Sequence, residues 1–155
     1  MNDLRKMVVA LSLLVLLSPV ALVKAQQTEE DPSISYRRNV MKSIAANMGG
    51  IGDILKNRLP LNAHLADHAK NVERNAAMIA KAFEKKVNDD KAGGAKDDIW
   101  KDMAKFKEKA DTLTKEAGAL ATVMGGGDGA AIMGQLQKVG KACKSCHEDY
   151  RKPKN

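Results

Sequence analysis

The sequence predicts an all-α fold, an antiparallel up-down-up-down four-helix bundle, from three observations. Apolar residues recur at steps of three and four, and no alternating strand pattern competes with them. The 44% hydrophobic content with only 3% aromatics describes a core of Ala, Leu, Val, Ile and Met, mostly strong helix formers. Gly- and Pro-marked breaks divide the chain beyond residue 30 into four segments with short connections, which pack most simply as neighbouring antiparallel helices. A length of 155 residues suits one core. The 29% charged content excludes a polytopic membrane protein, and two cysteines are too few for a disulfide scaffold.

Residues 1–25 stand outside the bundle. Arg5 and Lys6 form a basic start, an apolar run from Met7 to Val23 is interrupted only by Ser12, Ser18 and Pro19, and Val23-Lys24-Ala25 ends on small residues. That is the pattern of a secretory signal peptide cleaved after Ala25, with an uncleaved membrane anchor as the alternative. Cleavage leaves residues 26–155 as the mature domain. Its 23 basic and 18 acidic residues lower the formal charge from +7 to +5. Export to the periplasm puts the cysteines in an oxidising compartment, where a close pair needs an explanation.

The first helix is predicted from Asp31-Pro32, an N-cap followed by proline at the first helical position, to Asn57, with the apolar face Met41, Ile44, Met48, Ile51 and Leu55. A second follows Pro60 and carries Leu61, Leu65, Val72, Ala76, Ile79, Phe83 and Val87 as far as Asn88. Residues 89–96, with Gly93-Gly94, read as a loop. The third starts at Asp97-Asp98, suited to the positive end of a helix dipole, and has the most regular seam: Ile99, Met103, Phe106, Ala110, Leu113, Ala117, Leu120 and Met124. Gly125-Gly126-Gly127 ends it and Asp128 caps the fourth, whose stripe is Ile132, Leu136, Val139, Cys143, Cys146 and Tyr150.

Cys143-Lys144-Ser145-Cys146-His147 is C-x-x-C-H, the attachment signature of c-type haem. Thiols three residues apart share a helix face and reach two vinyl groups along one porphyrin edge, and the next residue offers an imidazole to the iron. The alternatives are weaker. A redox-active C-x-x-C belongs near a helix N-terminus in a βαβ setting, structural zinc needs four ligands, and a disulfide across one helical turn is strained. The cofactor is therefore one covalent haem c, near the end of the fourth helix.

The stretch from Cys143 through Lys152, together with Tyr36-Arg37, Gly49, Gly50 and Ile99-Trp100, resembles the class II c-type cytochromes, the cytochrome c′ and cytochrome c-556 group. The resemblance spans roughly residues 33–152, and class I relatives carry the motif near the N-terminus instead. It implies thioether anchors at Cys143 and Cys146, His147 as proximal iron ligand, Arg37 facing a haem propionate and Arg151 shielding His147. Arginine suits such places because its planar fork binds a carboxylate with two hydrogen bonds. Met41 falls at the distal position.

In the c-556 branch a methionine there is the sixth ligand, and a soft thioether suits low-spin iron. In the cytochrome c′ branch the distal side chain only packs and the iron stays five-coordinate. The first reading makes the protein a low-spin electron carrier with His147 and Met41 on the iron, not an enzyme; Met48 is the reserve ligand. The second makes it a binder of small gases such as nitric oxide or carbon monoxide. A third reading is a non-haem helical binder.

His64 and His68 form an i, i+4 pair without the accompanying Glu of a metalloprotease, and read as surface or half-buried residues. Trp100 reads as a packing anchor. Lys138, Lys141, Lys144, Arg151, Lys152 and Lys154 give the C-terminus a basic rim suited to acidic redox partner proteins. Interleaved acids and scarce aromatics argue against nucleic acid. The resemblance also suggests a homodimer through the first two helices.

Overall fold

Asp31 accepts a hydrogen bond from the Ser33 amide at 2.8 Å and Pro32 occupies the first turn, so the first helix begins where its cap dictates. The structure, a computed structural model, describes residues 30–91 and 93–153. The segment 1–25 with its expected cleavage site, and Lys154, lie outside the described residues. The helices are α1 (Pro32–Asn57), α2 (Ala63–Ala77), α3 (Ile79–Ala82), α4 (Asp98–Lys101), α5 (Met103–Gly126) and α6 (Gly129–Tyr150). Helices α1, α2, α5 and α6 are the four members of the antiparallel bundle, and α3 and α4 are short extensions of α2 and α5.

Local chemistry explains most ends. Gly127 takes φ 73°, the left-handed value that glycine adopts without penalty, and closes α5. Asp128 then accepts from the amides of Ala130 and Ala131 and opens α6. Two boundaries depart from the sequence reading. The second helix was expected to reach Asn88, but it breaks at Met78, whose amide turns back to the Asn75 carbonyl at 3.2 Å, and ends at Ala82. Val87 consequently lies outside any helix. The third helix is divided at Asp102, with φ −143° and ψ 74°, whose carboxylate caps α5 by accepting from the Lys105 amide at 3.1 Å. Aspartate competes for nearby amides in this way, which is why it interrupts helices. The seam survives the break, since Ile99 and Phe106 are both buried.

The centre of the core is made of small residues. Ala69, Val72 and Ala76 of α2 and Ala117 and Leu120 of α5 are fully buried, so these two helices lie close together. At Gly118 an added Cβ would stand 2.9 Å from Glu73 Oε1, the far end of a flexible side chain. Gln135 joins α6 to α5 through the Glu116 carbonyl at 2.9 Å. Aromatic residues gather at the other end, where Phe106 meets Phe83 and Tyr150 with ring centroids 5.2 Å apart in each pair, the second pair edge-on.

Candidate functional site

The bundle is closed on three sides and open on the fourth. Helix α1 packs on α2, α2 on α5 and α5 on α6, but among the described residues α1 and α6 come nowhere within 8 Å of each other between Cα atoms. Met41 from α1 and the C-x-x-C-H turn from α6 face this gap. A cavity of about 320 Å³ is lined by Met41, Ile44, Met48, Cys143, Cys146 and His147 among others. Neighbouring cavities of about 240 and 70 Å³ also touch both Met41 and His147. The structure thus brings together, from positions about a hundred residues apart, every iron-ligand and thioether candidate read from the sequence.

Cys143 and Cys146 are half-buried and not bonded to each other. Burial pushes the Cys143 thiol up and takes that of Cys146 to about 11. A thiol-exchange centre uses the opposite, a stabilised thiolate. Among the described residues no group of three or more His, Cys, Asp and Glu side chains is placed to hold a metal ion. His147 itself is exposed, on the last turn of α6.

Arg37 is 3% exposed, so it is no solvated surface charge. Its Nε donates to the carbonyl of Ala82, the last residue of α3, at 2.9 Å and an Nη donates to the Lys85 carbonyl just past it. The guanidinium lies 4.9 Å from the Phe83 ring centroid and 5.3 Å from that of Trp100, within cation–π range. Trp100 is fixed in turn by its indole N–H donating to the Phe83 carbonyl at 2.8 Å, a packing role as expected. The remaining nitrogen, Nη1, is buried with no hydrogen-bond partner, and Arg37 lines the 240 Å³ cavity together with Arg151 and His147. Burying such a donor unpaired is costly, and a carboxylate in that cavity would satisfy it.

The loop expected at residues 89–96, to which the sequence assigns no role, forms one rim of the site. Gly93, Gly94 and Ala95 line the cavity beside His147. The chain end pins them: Lys96 N–H donates to the Tyr150 carbonyl at 2.9 Å, Lys152 N–H to the Gly94 carbonyl at 2.8 Å, and Gly93 N–H to the Pro153 carbonyl at 2.8 Å. Asp89, buried, pairs with Arg38 at 2.9 Å, and Arg38 also holds Glu30 at 2.6 Å. Lys152, assigned by sequence to the basic rim, instead donates to the Asp89 carbonyl at 2.6 Å; Lys138, Lys141 and Lys144 are exposed. His64 and His68 lie away from the gap. His68 packs over Gly50, where a Cβ would come within 2.8 Å of the ring, and its Nδ1 is 3.0 Å from Asn47 Oδ1.

Residues 32–151 match the family model described as Cytochrome C′. The chain belongs to the cytochrome c′ family. It is 32% identical over 127 residues to the cytochrome c′ of Rhodospirillum rubrum, covering 82% of this chain and 86% of the relative. Among solved structures, a cytochrome c prime from Shewanella frigidimarina is 32% identical with a TM-score of 0.68, over 78% of this chain and 94% of that one. A variant of cytochrome c prime from Alcaligenes xylosoxidans, described as a nitric oxide complex, is 26% identical with a TM-score of 0.65, over 77% and 94% of the two chains. Membership in the cytochrome c′ family makes the chain a c-type haem protein. Its residues fit that group: two thiols one turn apart, an imidazole beside them, a largely apolar gap, and a buried guanidinium nitrogen awaiting an acceptor.

Proposed function

We propose that this protein is a five-coordinate cytochrome c′ that binds small gases, nitric oxide or carbon monoxide, and exchanges single electrons. Cys143 and Cys146 anchor the haem by thioethers and His147 binds its iron. When bound, the haem supplies a redox-active iron with one face available to a diatomic ligand. The chain's own residues determine what reaches that face: Met41, Ile44 and Met48 form apolar walls that discourage water and offer a bound gas no hydrogen-bond donor. Arg37 Nη1 holds a propionate and Arg151 covers the rim near His147.

The observation that carries this reading is the largely apolar cavity of about 320 Å³ between Met41 and the C-x-x-C-H turn, on whose α1 side Met41, Ile44 and Met48 supply no hydrogen-bond donor. The nitric oxide complex of the Alcaligenes relative supports it. One observation favours the rival six-coordinate electron carrier: Met41 lines three cavities together with His147, which puts a soft thioether across the gap from the imidazole. Replacing Met41 with Ala separates the two. We expect ferrous wild type and Met41→Ala to share a high-spin spectrum, with faster carbon monoxide binding in the variant; a low-spin wild type that Met41→Ala turns high-spin establishes the rival.

The same reading includes export to the periplasm after cleavage behind Ala25, and a homodimer. Exposed Tyr36, Leu59, Leu61 and Met78, on α1 and at the two ends of α2, support contact through the first two helices. Native mass spectrometry of the exported protein is expected to give a chain starting at Gln26, one haem per chain and a dimeric mass. A chain starting at Met1 contradicts the cleavage, and a monomer contradicts the interface.

A further inference from the structure

Lys109 differs from the neighbouring lysines of α4 and α5. The side chains of Lys101, Lys105 and Lys107 are 73%, 73% and 60% exposed, whereas that of Lys109 is 29% exposed. Its ammonium crosses to α6, where it donates to Ser145 Oγ at 2.6 Å and pairs with Asp149 Oδ2 at 2.7 Å, with the Ser145 carbonyl at 3.5 Å. Ser145 and Asp149 are one helical turn apart and bracket Cys146 and His147. Lys109 also lines the 320 Å³ cavity with Cys143, Cys146 and His147.

We propose that Lys109 is a positioning residue for the haem site: it fixes the rotation of the C-x-x-C-H turn about the axis of α6 and places a fixed positive charge at the cavity wall that raises the reduction potential of the bound iron. The inference rests on the haem attachment proposed above. A lysine has three donors and no acceptor, so one ammonium satisfies the hydroxyl and the carboxylate together, a geometry that holds both ends of the turn against α5. Reduction of the iron adds one electron, supplied by the redox partner, and a nearby cation stabilises the reduced form relative to the oxidised one. Beside an apolar cavity that effect is larger than in water. Asp149 partly offsets it, which makes the pair a tuning element.

The test is a redox titration of the exported holoprotein carrying Lys109→Met, Lys109→Arg or Asp149→Asn, with circular dichroism and the covalent haem stain as controls. Lys109→Met is expected to lower the potential, Lys109→Arg to restore it towards the wild-type value, and Asp149→Asn to raise it. A wild-type potential in Lys109→Met with haem and helicity intact overturns the inference, as does an equal fall in Lys109→Arg. Should Lys109→Met fail to fold, an unchanged or lower potential in Asp149→Asn overturns it. Absence of covalent haem from the wild-type protein would overturn the attachment reading instead, so the two failures are distinguishable.

Discussion

Replacing both Cys143 and Cys146 with Ala is expected to abolish covalent haem, with complete loss of the haem stain on a denaturing gel and of haem bands after acid extraction. Each thiol can form one thioether, so a single Cys→Ala change removes one bond and leaves one point of attachment. The double variant is also expected to lose stability. Met41, Ile44 and Met48 line the cavity between α1 and α6 that the haem would fill, so loss of the haem removes its contacts with them. Binding a group only in the folded state stabilises that state by mass action, and covalent tethering makes the effect independent of haem concentration. Retention of covalent haem in the double variant would contradict the assignment of the motif.

Arg37→Ala is expected to cost about 3 kcal/mol of stability in a urea titration of the holoprotein, the magnitude typical of breaking a buried charged network. The change strips the Ala82 and Lys85 carbonyls of their donor and removes the cation between Phe83 and Trp100. Arg37→Lys should recover little, because an ammonium lacks the planar fork that reaches two carbonyls while stacking on rings. A loss within about 0.5 kcal/mol, the range of ordinary surface substitutions, would show that Arg37 is not a keystone of this end of the bundle.

Boundaries written in adjacent residues were legible in the sequence. Asp31-Pro32, Gly127 and Asp128 each act on amides or dihedrals within three positions, so α1, α5 and α6 start or stop as expected. The end of the second segment at Ala82 was not legible, because the Ala82 and Lys85 carbonyls are taken by Arg37, 45 and 48 residues away in sequence. At Asp102 the regular seam masked a residue whose side chain prefers an N-cap.

The site divides along the same line. C-x-x-C-H is contiguous, and its chemistry could be read directly; Met41 lay on a visible seam. Asp89 and the loop beside His147 carry no periodic signal, and their roles arise from pairing with Arg38 and with the chain end. Lys109 left one weak trace, a lysine three residues after Phe106 on the flank of the α5 stripe. The scarcity of aromatic residues takes on a different meaning in the fold: Phe83, Trp100, Phe106 and Tyr150, four of the five rings, are concentrated at the site end of the bundle.

The central claim is an iron held by His147 with its other face open to gases. The visible absorption spectrum of the dithionite-reduced holoprotein, before and after carbon monoxide, tests it most directly. A high-spin ferrous spectrum that converts fully and promptly to a low-spin carbon monoxide form is expected. A spectrum already low-spin before the gas is added, and unmoved by it, would contradict a five-coordinate iron.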